Sequence, residues 1–443
     1  MKSISQKFTF ARLITFAMPS ILMMILMALY QIVDGIFISR LVGSNALSST
    51  NIVWPVICIV IAIGTMLAAG GNAIISRYLG EGKELKAREC LSQFVVVGLL
   101  LMLFIMAVTL PFLEPVCRLL GASDVLLEDG MTYLRIIILF SPACLLQSLY
   151  QSWLVTASKP GLGLFFTVFA ACANMFFDYY FIAVCGMGVA GAAYATGIGQ
   201  MLPAVFGSLF FTFNRGELHF CRFQWNLKAV LYACYNGSSE MVTQLSGAVV
   251  TFLFNIMMMR LVGETGVAAI TILLYAQFLF NAFYMGFSVG VGPVLGFRYG
   301  AQDKRELRRL YRMVTSFVAV SSLGITAVSM LAADPLLHVF TKDAQTFALA
   351  SQGFRLFALS FLFSGINIIY SGIFTALSNG RVSAVISFAR TLVFTAASLL
   401  LLPSVLGLNG IWLAVPCAEL LTVMLCVYFH CRYFRADGVY FGT

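Results

Sequence analysis

Long apolar runs, cut by short polar breaks, recur from one end of the chain to the other. Runs of at least about 18 such residues are long enough to cross a hydrocarbon core of roughly 30 Å as a helix. Reading the windows between charged or turn-rich breaks predicts twelve helices. They cover 14–38, 50–74, 91–113, 133–157, 162–184, 189–211, 233–258, 266–294, 313–332, 354–378, 383–404 and 409–431. None of these windows shows the sustained polar/apolar alternation of a membrane barrel strand. The first window is too long for a secretory signal, lacks a small-residue cleavage motif and is followed by many like it. It reads as a retained span.

Composition agrees with this pattern. Of 443 residues, 60% are hydrophobic and 10% charged, against about 25% charged in a soluble domain, and mean hydropathy is +0.94. The net charge of +9 sits in short loops, which points to membrane orientation rather than nucleic acid. With both termini in the cytoplasm, 20 of the 27 Lys and Arg fall on that side and six on the other, counting Arg135 and Arg355 at the outer starts of their spans; Arg390 alone lies well inside a span. The strongest marker is 298–312, with six basic residues in fifteen positions. The eleven cysteines make no CxxC pair, and His219, His338 and His430 lie far apart, so a metal centre is not expected. The lack of a Gly-rich phosphate loop or Walker pattern removes ATP as an energy source.

The halves of the chain repeat. RLVG recurs at 40–43 and 260–263, and SRYLG at 76–80 corresponds to GFRYG at 296–300, both at an offset of 220. The same offset pairs Pro115 with Pro335 and Arg135 with Arg355. It slips to 219 for Gly161 with Gly380, Gly188 with Gly407 and Gly191 with Gly410. Six spans per repeat is an even number, so both repeats enter the bilayer in the same direction. The expected architecture is all-α and polytopic: twelve transmembrane helices in two parallel-repeat six-helix bundles around a central cleft. The first unit covers 1–211, a cytoplasmic linker 212–230 and the second unit 231–443. A cleft that opens to either side suits a secondary transporter, and no filter-like loop suggests a channel.

A charge in hydrocarbon is expensive, so each intramembrane polar group needs a partner, a proton or water. Asp34 and Asp178 fall in the outer parts of spans 1 and 5, and Asn174, four residues before Asp178, shares its helix face. Their counterparts by the repeat are Phe254 and Ala397, so the acid pair exists in one half only. Packing alone would use such a device in both halves; its one-sidedness favours ion coupling. Burial and like charge favour a proton on one acid of such a pair. With the Asn174 amide and the Thr196 hydroxyl, the same acids also offer an oxygen cage for Na+. H+ is the favoured ion, because few other oxygens are at hand. In the second half, Arg390 is expected to form a structural ion pair with Glu240 or Glu419, and either acid could instead meet substrate. Glu419 matches Gln200 by the repeat. Tyr30, Met27, Phe283 and Tyr284 are further candidates for a substrate cleft, since aromatic and Met-rich surfaces accept organic cations. Pro19 is a candidate hinge in the first helix.

Pro19 followed by Asp34, RLVGSNALSS and GGNAIISRYLGEGKELKA resemble segments of the multidrug and toxic compound extrusion (MATE) transporters, and the resemblance spans nearly the whole chain. The family's subgroup with a cation site in its first lobe has an Asp on helix 1 and an Asn-xxx-Asp on helix 5. Here these fall on Asp34, Asn174 and Asp178. The resemblance implies export of drug-like cationic or amphipathic compounds in exchange for H+ or Na+, with Pro19 linked to bending of helix 1. Two features depart from the pattern. Ser239 and Glu240 stand where helix 7 often opens with proline, and Gly247 lies where another subgroup carries a deeper acid. Exporters of lipid-linked sugars or peptidoglycan precursors are the alternative within transport, though they tend to have fourteen helices and basic cavities. An intramembrane enzyme is the alternative from another class, and the scattered histidines speak against it. The chain is therefore expected to be a monomeric, multi-pass inner-membrane exporter without cofactor, whose partners are small organic substrates and membrane lipid.

Overall fold

The structure is a computed structural model and describes residues 4–341, 343–434 and 440. Residues 1–3, 435–439 and 441–443, at the two chain ends that the sequence reading puts in the cytoplasm, lie outside the described residues; so does Lys342, counted above with the outer cations. Among the described residues every regular element is helical. Eleven helices are long and apolar enough to cross a membrane, and a bent pair makes the twelfth.

The first half runs α1 (Phe10–Phe37), α2 (Ser44–Gly80), α3 (Glu84–Thr109), the short α4 (Leu113–Leu119), α5 (Asp124–Leu139), α6 (Ser141–Thr156), α7 (Pro160–Asp178) and α8 (Gly188–Phe213). The second runs α9 (Leu227–Leu261), α10 (Glu264–Gly300), α11 (Lys304–Leu331), α12 (Ala333–Phe340), α13 (Ala344–Phe357), α14 (Phe361–Ala376), α15 (Gly380–Phe388), α16 (Thr395–Leu406) and α17 (Leu408–Tyr433). The bent pair is α5 and α6, at 51°. The bend falls where Pro142, in the first turn of α6, has no N–H to continue the ladder of α5.

The repeat is written in the backbone. Helices α10 to α15 each begin 220 residues after their counterparts α2 to α7. Ser158 and Ser378 both adopt left-handed φ, at 61° and 60°, and Gly82 and Gln302 match at 71° and 56°. Each serine closes its helix by the same bonds: Lys159 N donates to Leu154 O at 2.8 Å, and Asn379 N donates to Phe374 O at 2.8 Å. The register is still 220 here and reaches 219 only at Gly188 and Gly407, both at φ 57°. The slip thus falls inside the eleventh span, later than the Gly161–Gly380 pairing implies.

Three π-helical turns interrupt the spans, at Ile38–Val42, Tyr179–Val184 and Ala389–Phe394. The second directly follows Asp178, the first follows Asp34 by one turn, and the third contains Arg390. A π-turn holds one more residue than the α-helix would, and such turns gather at functional sites.

Loops 81–83, 157–159, 214–226, 301–303 and 377–379 gather at one end, here called the basic end. There Arg88 Nε donates to Glu217 O at 2.8 Å, and Arg298 Nη2 donates to Ser5 O and Gln6 O at 2.7 and 2.8 Å. The two halves meet through α2 with α9 and α1 with α10, along a seam of glycines. A Cβ on Gly237 would lie 1.9 Å from Met66 O, and one on Gly70 would lie 1.9 Å from Ala233 O. Nearer the basic end the contact is reciprocal: Gly80 faces Phe297 O at 2.0 Å and Gly300 faces Arg77 O at 2.1 Å. Only residues without a side chain allow backbones this close.

Candidate functional site

In the first half, Asp34 sits in the last turn of α1, Asn174 and Asp178 at the end of α7, and Thr196 on α8. The helices can converge because α8 presents Gly199 to Asn174, whose Cβ would stand 3.1 Å from a Cβ there. Asp178 is fully buried and Asn174 nearly so. Helices α1 and α7 pack against each other and bring the Asp34 and Asp178 carboxyls close enough to interact. Asp34 Oδ1, both Asp178 oxygens, both polar atoms of the Asn174 side chain and Thr196 Oγ1 are buried without a hydrogen-bond partner among the described residues. Buried polar atoms are otherwise almost always paired. All are hard oxygen donors, apart from the amide nitrogen, and suit H+ or Na+ rather than a soft metal.

A small cavity beside the acids is lined by Tyr30, Gln147, Thr167, Asn174, Thr196 and Gln200. Tyr133 on α5 is buried in the same half. The sequence reading omitted Gln147 and Tyr133. Gln147 was detectable as a polar residue inside an apolar span; a tyrosine in a span carries no such signal.

In the second half, Arg390 Nη2 donates to Glu419 Oε1 at 2.8 Å, and its Nε lies 2.9 and 3.0 Å from the two carboxylate oxygens. Asn367 Nδ2 adds bonds to Glu419 Oε2 at 2.6 Å and to its backbone oxygen at 2.9 Å. Glu240, on α9, belongs to neither arrangement.

One expectation changes. Tyr284 lines no cleft: it is fully buried, donates to Ser322 Oγ at 3.3 Å and packs where Gly365 leaves room for its ring. Phe283 is half-buried, edge-on to Tyr284 and 6.2 Å from the Phe317 ring. Met27 is half-buried and does not line the cavity beside the acids. Pro19 lies within a continuous α1, next to the Ser20–Ile21 backbone that meets Gly286 of α10.

The model of the MatE family matches residues 19–180 and 241–399, one segment in each half. The chain belongs to the MatE family. Among curated relatives, the multidrug export protein MepA of Staphylococcus haemolyticus is 24% identical over 420 residues, covering 95% of this chain and 92% of its own. MepA of Staphylococcus aureus strain MSSA476 is 24% identical over 441 residues, covering 95% and 93%. A MATE crystallised in complex with MaL6 superposes with a TM-score of 0.92 at 21% identity, over 97% of each chain. A multidrug resistance MATE family transporter in its outward-facing conformation gives 0.90 at 22%, over 96% and 95%. This MatE protein is thus a polytopic membrane transporter with the family's fold along its whole length.

Proposed function

We propose that this MatE protein is a cation-coupled antiporter that exports drug-like, cationic or amphipathic organic compounds by alternating access. The observation that carries the reading is the facing pair Asp34 and Asp178, whose buried oxygens find no protein donor among the described residues. Two ionised carboxylates buried side by side repel; one shared proton turns the repulsion into a hydrogen bond. H+ is therefore the favoured coupling ion, and Asn174 and Thr196 complete the oxygen set if Na+ enters instead. The basic end faces the cytoplasm by the charge bias of the loops. The glycine contacts between the halves hold that end closed in this conformer. The named relatives are multidrug export proteins, which supports organic compounds as cargo.

Reconstituted vesicles test this by imposing a proton gradient and a sodium gradient in turn while export of a fluorescent cation is followed. Asp34→Asn should abolish gradient-driven export and leave a folded protein that still binds the dye. Export by the Asp34→Asn/Asp178→Asn variant at wild-type rates under either gradient would return both acids to a structural role.

A further inference from the structure

The repeat preserves the backbone at the basic end but not the charge. Over 298–312 the sequence has six basic residues and two acidic ones; the matching stretch of the first half, 78–92, has three of each. Orientation in the bilayer would ask the same of both halves. The excess lies on the first turns of α11. Lys304, Arg305, Arg308, Arg309 and Arg312 are all exposed there, while Leu307, Leu310, Tyr311 and Val314 are buried against the bundle. Arg309 lies 3.4 Å from Glu306, and the side chains of Arg305 and Arg312 make no hydrogen bond or ion pair among the described residues. Beyond the described residues the sequence has one acidic side chain, Asp437, beside Lys2, Lys342 and Arg435, too little to neutralise this face.

The outward side of α11 then changes character along its length. Arg305, Arg309, Arg312, Ser316, Val320 and Leu323 follow at steps of 4, 3, 4, 4 and 3, which is one line along a helix, and all six are exposed. Eight residues separate Arg312 from Val320, about 12 Å of helix. The whole of Lys304–Leu331 is apolar and long enough to span, so its later turns meet acyl chains and its basic turns meet the headgroup layer. Lys304, at the start of this line, also borders a small cavity with Arg298, Gln302 and Tyr440.

We infer that this face of α11 binds an anionic phospholipid of the leaflet at the basic end, its phosphate held by Arg305, Arg309 and Arg312 and its acyl chains lying along Val320 and Leu323. A guanidinium presents paired N–H donors that match phosphate oxygens, and basic clusters directly outside a transmembrane helix attract anionic lipid. A soluble anion, an acidic protein or a nucleic acid would answer the arginines and leave the apolar half of the line unused. A lipid uses both. The site stands apart from the coupling acids and does not depend on the export reading.

Native mass spectrometry of the full chain released from detergent tests this by counting the lipid retained. Wild-type protein should keep phosphatidylglycerol over phosphatidylcholine, whose phosphate has a cation beside it, by roughly tenfold. Arg305→Gln/Arg312→Gln should lose that preference at an unchanged melting temperature. Lys83→Gln/Lys86→Gln removes as much charge from the first half and should keep it. Free glycerol phosphate at the concentration of the lipid should not displace it. Equal retention of the two lipids by wild type, equal loss of preference in both double variants, or displacement by glycerol phosphate would overturn the inference.

Discussion

With Nε and Nη2 of Arg390 turned onto Glu419, and Asn367 closing on the remaining oxygen, removing either charge would strand the other among apolar helices. The side chains are only 13% and 4% exposed, so the stranded charge gets little help from solvent. Arg390→Met alone should cost about 3–5 kcal/mol, read as a large drop in melting temperature. Arg390→Met combined with Glu419→Leu should recover most of it, because a well-packed apolar pair can replace a buried ion pair. At the first-half cluster, Asn174→Ala removes two polar atoms and no charge, so gradient-driven export should fall less than in Asp34→Asn. Every one of these side chains was visible in the sequence as a polar residue inside an apolar span. What the sequence left open was partnership. Arg390 had two acids within plausible reach, and the choice of Glu419 depends on how α17 packs against the π-turn that holds Arg390.

Among the elements, the seam between the halves sets the strongest constraint. Gly80→Val or Gly300→Val would push a side chain into carbonyl oxygens 2.0 and 2.1 Å from the Cβ position, so the basic end could not close. Spin labels at positions 82 and 302 should then move apart relative to wild type, and export should stop with the fold retained. An unchanged distance would show that the seam yields locally. At the other end, Asp343 lies outside the spans and caps α13, its Oδ2 accepting from Thr346 N at 2.8 Å and Thr346 Oγ1 at 2.7 Å. Those bonds, the backbone one first, hold its carboxyl below the usual carboxylate range. The stabilisation is present above the unfolded-state pKa and is lost as pH falls through the folded one. Asp343→Ala should therefore melt earlier than wild type at neutral pH, the difference shrinking in acid. Span positions could be read from hydropathy because lipid imposes length and apolarity. The π-turns and the seam could not, since neither has a local composition: a glycine in a span looks alike whether it meets lipid or a carbonyl.

For the molecule as a whole, two halves share a backbone plan but not a chemistry. Matching serines, glycines and helix starts preserve the repeat, while the facing acids occupy one half and the arginine–glutamate pair the other. The chain between the halves is itself unevenly attached. Residues 217 and 221 bond back to Arg88 and Ser92 of α3, whereas 223–226 lie between these anchors and the start of α9. Halves co-expressed with the break after Gln224 should assemble and export; a break after Glu217, which severs the docked stretch, should assemble poorly. Recovery of paired fragments by affinity purification distinguishes the two. In that outcome the reciprocal glycine contacts hold the halves together without the covalent link. They also bear on speed. Closing the seam brings glycines with no rotamers against backbone, so docking forfeits less side-chain entropy than a contact between long side chains would. Since each contact has a counterpart in the other half, the contacts would part together, and the transporter would switch between two discrete states instead of unzipping along its length.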